Sequence, residues 1–387
     1  MNILLIYGDE PGTSGRYLKN SLSKKHNVIT CGPNTKTGKP QDIKTSQNII
    51  DIESIIKKIK PQQKPDLVLQ IDSPFRLYLR NLSNVKAKTV LFWTDVTIKL
   101  PVFRHYAKCF DYLLVPSESL VPIVTDATLK NIFVLHFAVD PQVHKDYHLP
   151  RKIDVGFVGH LSTFYNPKRT FYLEYLASKI PLTVKTETYE NEMSNFYSQC
   201  KIVFNLSVTP GINMRTFEAL ACGTLLVQNA SCTDIPNHFI NGQDLVLYRS
   251  PKEAVDLIRY YLAHPKERER IARAGQKKAL KNHIYQKRAE QFIKIIRKSP
   301  PQREPNAKIK KSFGKTLFMS NLTLKTRAYN FPKPIIARII PHQLHPLMVY
   351  LIKQIETFQF RWTIPFWYIA LFVLRLKNKM VNRPKIL

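Results

Sequence analysis

The 387-residue chain is poor in acid, with 28 Asp and Glu against 59 Lys and Arg and a formal net charge of +31. Self-repulsion of that size implies an anionic partner or surface. Its five cysteines, Cys31, Cys109, Cys200, Cys222 and Cys232, contain no CxxC pair. That argues against a disulfide framework or a thiolate zinc site and points to reduced thiols in a cytoplasmic compartment. The eleven histidines show no HExxH spacing, so they are expected mostly on the surface, and no Asp-x-Asp pair follows a strand. The opening MNILLIYGDE has no basic leader and only a short apolar run before Gly8, Asp9 and Glu10. It reads as a first strand, not a signal peptide. A full GxGxxG fingerprint is missing as well: GDEPGTSGRYLKN (8–20) has Gly12 and Gly15 at other spacings, which disfavours a nicotinamide-dependent oxidoreductase.

At 44% apolar content the chain can build two cores of ordinary size. Short apolar runs at NILLIY (2–7), DLVLQI (66–71), TVLFW (89–93), DYLLVP (111–116) and IFVLHF (132–137) are separated by amphipathic stretches such as IESIIKKIK. This alternation predicts a parallel sheet covered on both faces. A second series follows at IDVGFVG (153–159), LTVKTE (182–187), KIVFNLS (201–207), TLLVQN (224–229) and DLVLY (244–248). Two Rossmann-like domains are therefore expected, at 1–150 and 151–298, joined near DPQVHKDYHLPRK. From Pro251 the pattern turns helical, with Ser250 as N-cap, Glu253 at the capping-box position and Pro265 opening a second helix.

After the Pro-rich linker SPPQREPNAKIKK, residues 299–387 read as a basic aromatic extension. Residues 301–387 hold sixteen Lys or Arg against two acids, Glu304 and Glu356. Thirteen residues between Arg361 and Arg375, WTIPFWYIALFVL, carry aromatic residues and basic flanks. As a helix they would cover roughly 20 Å, less than the ~30 Å hydrocarbon core. They suit an interfacial anchor on an anionic leaflet; docking on the protein body is the alternative.

PGINMRTFEALACG (210–223) precedes the buried-strand pattern TLLVQ. A helix N-terminus after Gly211 and Asn213 would offer unpaired N–H groups and positive dipole to a diphosphate. Arg215 would add a two-pronged contact, and Glu218, one turn inside, would offer two oxygens to the cis-diol of a ribose. The competing assignment is an i,i+3 surface ion pair between Arg215 and Glu218, worth about 0.2–0.5 kcal/mol. GFVGHLSTFYNPKR (156–169) is a second glycine-containing turn, where Lys168 or Arg169 would reach a phosphate or remain solvated. Asp72 in QIDSP and Asp95 in FWTDV follow apolar strands, as turn residues or as a general base at a cleft. His136 and Asp140 in LHFAVDP read as structural.

The ordered run GINMRTFEALACGTLLVQN, NGQDLVLY and HPKERERIARAG resembles the C-terminal domain of the CgeB-like (spore maturation protein) branch of glycosyltransferases, relatives of the group-1 retaining enzymes, over roughly 150–295. The resemblance implies an α/β, GT-B architecture: two Rossmann-like domains with a facing cleft, the first on the acceptor side and the second on the donor side, plus a helical basic C-terminal extension. It implies a metal-independent, hexosyltransferase-type enzyme with a nucleotide sugar as co-substrate and no cofactor. Glu218 would hold the donor ribose, while Arg215 and the loop of Gly211 and Asn213 would face the diphosphate. His160, Lys168 and Arg169 would line the opening loop, with Gly12 and Gly15 across the cleft. Asp95, ahead of Asp72, would act as base in an inverting reaction, whereas a retaining one would rest on the cationic cradle. The group-1 pattern has a further Glu eight residues before the ribose Glu, where this chain has Pro210. A glycan, lipid-linked or protein acceptor is expected, at a cytoplasmic location that becomes peripheral on the inner membrane face if the tail anchors. The alternative is a non-catalytic membrane- or nucleic-acid-binding protein with a GT-B shell, although no nucleic-acid-binding motif appears.

Overall fold

The computed structural model describes residues 1–328 other than 36, 46–47, 73–76, 126–130, 162–166 and 303. The proposed anchor at 362–374 lies outside the described residues.

The first lobe contains strands β1 (Asn2–Ile6), β2 (Asn27–Gly32), β3 (Ile43–Lys44), β4 (Ile49–Asp51), β5 (Leu67–Ile71), β6 (Tyr78–Arg80), β7 (Lys88–Phe92), β8 (Tyr112–Val115) and β9 (Ile132–Val134). Seven of them form a parallel sheet in the order β3-β2-β1-β5-β7-β8-β9, while β4 and β6 pair separately. Its helices are α1 (Ser14–Leu22), α2 (Ile52–Lys58), α3 (Val96–Tyr106) and α4 (Val121–Val124). Because both faces are covered, the strands carry apolar residues without alternation. Leu4, Ile6, Val68 and Leu91 pack among residues of α2 and α3, while Ile3, Leu5, Leu67 and Leu69 pack with Tyr17, Leu18 and Leu22 of α1.

The second lobe repeats the plan with β10 (Ile153–Val158), β11 (Leu182–Lys185), β12 (Cys200–Asn205), β13 (Leu225–Asn229) and β14 (Val246–Tyr248), parallel in the order β11-β10-β12-β13-β14. Helices α5 (Pro167–Ala177) and α8 (Pro251–Ala263) contribute to one core, and α6 (Glu190–Ser198) and α7 (Met214–Ala221) to the other, while α9 (Pro265–Asn282) contributes to both.

Helix α10 (Tyr285–Lys298) follows the second sheet in sequence but packs on the first: Tyr285, Ala289, Phe292, Ile293 and Ile296 join the cluster of Ile3, Leu5 and Tyr17. Helix α11 (Asn306–Ala328) supplies Ile309, Phe313 and Leu317 to that sheet's other core. The chain thus passes between lobes twice, and the two passages are hydrogen-bonded to each other. Val139 N–H donates to the His283 carbonyl, and Tyr285 N–H donates to the Val139 carbonyl, each at 2.9 Å. The segment after Val139 is fastened to the second lobe by Arg151, which donates to the carbonyls of Cys200 and Gly223, each at 2.8 Å, and to Asp146 at 3.0 Å.

The carboxyl ends of the two sheets face each other. After β1, Asp9 accepts from Arg16 Nε at 2.6 Å, and Arg16 Nη1 reaches across to Glu190, the first residue of α6, at 2.9 Å. After β8, the Ser119 N–H and hydroxyl donate to Asp234, which follows β13. Ser117 Oγ accepts from the N–H of Ile212, beyond β12, at 3.1 Å. Arg16 and Asp9 are buried, so removing the guanidinium leaves a desolvated carboxylate without its cation. Arg16→Met is expected to lower unfolding free energy by roughly 3 kcal/mol, read from the urea midpoint; an unchanged midpoint counts against the buried Arg16–Asp9 pair.

Candidate functional site

A buried polar network holds the mouth of α7. Strand β12 ends at Asn205, whose Nδ2 donates to Gln228 Oε1 at 2.5 Å and to Asn213 Oδ1 at 3.0 Å. Asn213 Oδ1 also accepts from the Thr216 N–H at 3.2 Å, so Asn213 is the N-cap of α7. Ser207 N–H donates to Asn229 Oδ1 at 2.6 Å, which fixes the start of the intervening loop. Gly211 lies where a Cβ would stand 2.8 Å from Ser117 of the first lobe, so its lack of a side chain allows this loop and Ser117 to touch.

Arg215 turns away from Glu218. Its Nε donates to the Val158 carbonyl at 2.6 Å and its Nη1 to Asn205 Oδ1 at 2.7 Å, with the guanidinium 4.8 Å from the centre of the Phe157 ring. The surface ion pair therefore does not form. A Cβ at position 159 would stand 2.4 Å from Arg215 Nη2, so Gly159 leaves the guanidinium its room. Arg169, on α5, lies 6.0 Å from the same Phe157 ring and donates through Nη1 to the His160 carbonyl at 3.2 Å. Its buried Nε has no hydrogen-bond partner. Burial, reinforced by the charge of Arg215, lowers its pKa to about 10. Two guanidinium groups thus share one aromatic ring, and among the described residues neither forms an ion pair with a carboxylate. Lys168 and the His160 side chain are exposed; Lys168 Nζ lies 5.8 Å from the Tyr172 ring centre.

Glu218 is 6% exposed, at the junction of the lobes. Its Oε1 lies 3.6 Å from His144 Nε2 in the first passage between lobes. Asp140 N–H donates to His144 Nδ1 at 3.1 Å, which makes Nε2 the protonated nitrogen of the neutral ring, and Nε2 has no hydrogen-bond partner. The His144 ring lies 4.9 Å from Tyr17, itself 5.4 Å from Tyr285, and both tyrosine hydroxyls are buried without partners. Burial raises both tyrosines, and the Glu218 charge raises them further. Burial pushes the Glu218 carboxyl up to about 7 against the opposing charge of Arg215, and lowers His144 to about 4. Among the described residues no group donates a hydrogen bond to the Glu218 carboxyl.

The remaining sequence-derived positions stand on the first lobe. Asp72 is buried just past β5, and its Oδ2 accepts from the Asp95 N–H at 3.3 Å. Asp95 is exposed at the start of α3, so the two acids adjoin at neighbouring strand ends. Gly12, at φ +71°, faces the Tyr189 ring across the lobes, and Gly15 lies against the ring of Tyr7. The structure thus joins Arg169, Arg215 and the His160 carbonyl, sets Glu218 farther along α7, and keeps Asp72 with Asp95.

Three histidines depart from the expectation of a mostly surface placement: His136, His144 and His283 are buried. Packing between distant segments buries them, which local spacing does not reveal. Sequence reasoning also missed Phe157, Asn205 and Gln228, although polar residues ending apolar strands were a usable signal. It missed Tyr17, Tyr285 and His144 because only the joining of the lobes brings them to Glu218. Among the described residues one group has metal-ligand geometry, Glu118 with His136 and His238.

Residues 158–294 match the family model described as glycosyl transferase-like. The search of curated proteins gave no match. Among solved structures, the chain is similar to Anabaena HepE in complex with UDP and glucose (14% identity, TM-score 0.58, covering 77% of this chain and 100% of that one). It is also similar to sucrose-phosphate synthase from Thermosynechococcus elongatus (11% identity, TM-score 0.53, 77% and 98%). A third is an alpha-glucosyltransferase in complex with UDP and a 13-mer DNA containing an HMU base (12% identity, TM-score 0.57, 76% and 99%). At these identities the likeness is one of fold. The chain has the GT-B glycosyltransferase fold, two Rossmann-like lobes with opposed carboxyl edges, and its residues 158–294 match the glycosyl transferase-like family.

Proposed function

We propose that this protein is a glycosyltransferase that moves a hexose-type sugar from a nucleoside-diphosphate sugar to a glycan, lipid-linked or protein acceptor. The observation that carries this reading is the pair of guanidiniums at Phe157, without a carboxylate partner among the described residues, at the mouth of the helix that bears the buried Glu218 carboxyl. UDP in the HepE and alpha-glucosyltransferase complexes supports a uridine nucleotide. The Arg-x-x-Glu mouth and the Ala-Cys-Gly stop favour the CgeB-like branch. Residues 1–150 are assigned to the acceptor side, 151–298 to the donor side, except that α10 packs on the first lobe, and 299–387 to the extension.

Arg169 and Arg215 receive the donor diphosphate. As the bond from the anomeric carbon to the diphosphate oxygen breaks, negative charge grows on the leaving group, and guanidiniums already held in place stabilise it without reorganisation. In this reading these cations do the work a divalent ion does elsewhere, and the nucleotide sugar is a co-substrate with no separate cofactor. The ionised Glu218 accepts hydrogen bonds from the two ribose hydroxyls. In an inverting reaction Asp95, with its backbone N–H bonded to Asp72, takes the proton of the attacking acceptor hydroxyl.

A membrane-proximal acceptor is supported by the basic extension and by a groove between α1 and α10 lined by Lys24, Lys25, Lys294, Arg297 and Lys298. Among the described residues no helix is long and apolar enough to cross a membrane; a peripheral association is proposed. Full-length protein is expected to sediment with phosphatidylserine vesicles at low salt and to be released at high salt. Equal recovery with neutral vesicles would remove this part of the reading.

Thermal stabilisation across a panel of nucleotide sugars should single out one donor. Arg169→Gln should lose that response without a lower ligand-free midpoint, because the substitution relieves like-charge repulsion. Glu218→Gln should bind the donor about 10–100-fold more weakly, as expected when a charged hydrogen-bond partner is lost. A full response in both variants refutes the assigned donor site.

The pH dependence has a definite sign. The folded state holds a proton on Glu218 up to about 7, against 4.5 ordinarily, so unfolding stability falls as pH rises from about 4.5 to about 7. Glu218→Gln lacks this loss and should be more stable than the parent at pH 8 by about 3 kcal/mol, with little difference at pH 4. Parallel stability profiles would show that the carboxyl is not desolvated. Donor affinity, which uses the ionised form, should rise through pH 7.

A further inference from the structure

We propose that Glu118, His136 and His238 form a site for one divalent transition ion of the Zn2+ class, bridging the two lobes. Glu118 and His136 belong to the first lobe, beyond β8 and β9, while His238 follows β13 of the second. One donor atom from each lies within 4.8 Å of the other two.

The hydrogen bonds favour ligation. His136 Nδ1 lies 3.1 Å from the Pro116 carbonyl, an acceptor only, so Nδ1 carries a proton and donates it. In the neutral ring Nε2 then presents its lone pair toward Glu118 Oε1, 2.9 Å away. Two lone pairs at that separation repel, and a cation between them turns the repulsion into coordination. An imidazole whose far nitrogen is held by a backbone carbonyl is the usual outer-shell arrangement of a metal-bound histidine. His238 Nε2 is buried without a hydrogen-bond partner and lies 3.7 Å from Glu118 Oε2. A tetrahedral ion with bonds near 2.0–2.2 Å places its ligand atoms roughly 3.3 Å apart; each imidazole lies near that distance from one of the two carboxylate oxygens, and a set of one atom per residue, within 4.8 Å, closes on an ion by side-chain rotation. Two imidazoles and a carboxylate suit zinc, cobalt or nickel over magnesium or calcium. The carboxylate is exposed, so water has access to a fourth position.

The site shares no residue with the arginine pair. It adjoins the Ser119–Asp234 contact, so a bound ion adds a second fastening between the lobes at that point.

The experiment uses full-length, tag-free protein stripped with a chelator and titrated with Co2+ and with Zn2+. One ion per chain is expected, with visible d–d absorption, no near-ultraviolet thiolate charge-transfer band and a raised thermal midpoint. Glu118→Gln, at an exposed position, and His238→Gln should each weaken binding at least about tenfold. Arg169→Gln should bind the ion as the parent does, which separates this site from the donor site. Thiolate bands, unchanged affinity in both ligand variants, or no binding at micromolar ion would overturn the proposal; the last two would leave an ordinary histidine–carboxylate pair.

Discussion

Two chain passages, hydrogen-bonded to each other at Val139, His283 and Tyr285, hold the carboxyl edges of two parallel sheets opposite one another. Everything chemical in the molecule follows from that constraint. In a parallel sheet every strand delivers its following loop to the same edge. The loops after β1, β5, β7 and β8 therefore gather on one side, and those after β10, β12 and β13 on the other. Had α10 stayed with the second sheet, as chain order alone would have it, Tyr285 would not stand beside Tyr17 and Glu218.

The polar groups between the lobes fall into two kinds. Arg16 with Asp9 and Glu190, and Ser119 with Asp234, are paired with one another and serve as fastenings, although Arg16 Nη2 has no hydrogen-bond partner. Among the described residues Arg169 Nε and the hydroxyls of Tyr17 and Tyr285 have no hydrogen-bond partner, and no group donates to the Glu218 carboxyl. Each unmet buried group costs about 1–3 kcal/mol. The fold bears that cost at two places, the arginine pair on Phe157 and the Glu218 carboxyl farther along α7. The Asn205–Gln228–Asn213 network shows the opposite economy: it is fully engaged, and that engagement keeps Arg215 aimed away from Glu218.

The fold was largely legible in the sequence because strands buried on both faces read as continuous apolar runs. Strand β2 escaped because NVITCG interrupts its apolar residues with Asn27 and Thr30; the latter's N–H and hydroxyl are met by Asp42, a partner that pattern cannot supply. The mouth of α7 was also legible, but the direction of its side chains was not. Spacing allowed Arg215 to face Glu218, and only the strand-end carbonyl of Val158 and the side chain of Asn205 draw it elsewhere. Asn213 and Gly211 drew attention as backbone-exposing residues, yet one is occupied as a cap and the other lies against Ser117. Local pattern had no access to His144, whose environment is assembled from both lobes.

The anchoring of residues 146–151 to the second lobe through Arg151 confines any pivot to the paired passages. His144 lies within one of these passages, and Tyr285 opens the helix after the other, both beside Glu218. Groups from both lobes therefore enclose the carboxyl whose hold on a proton burial strengthens.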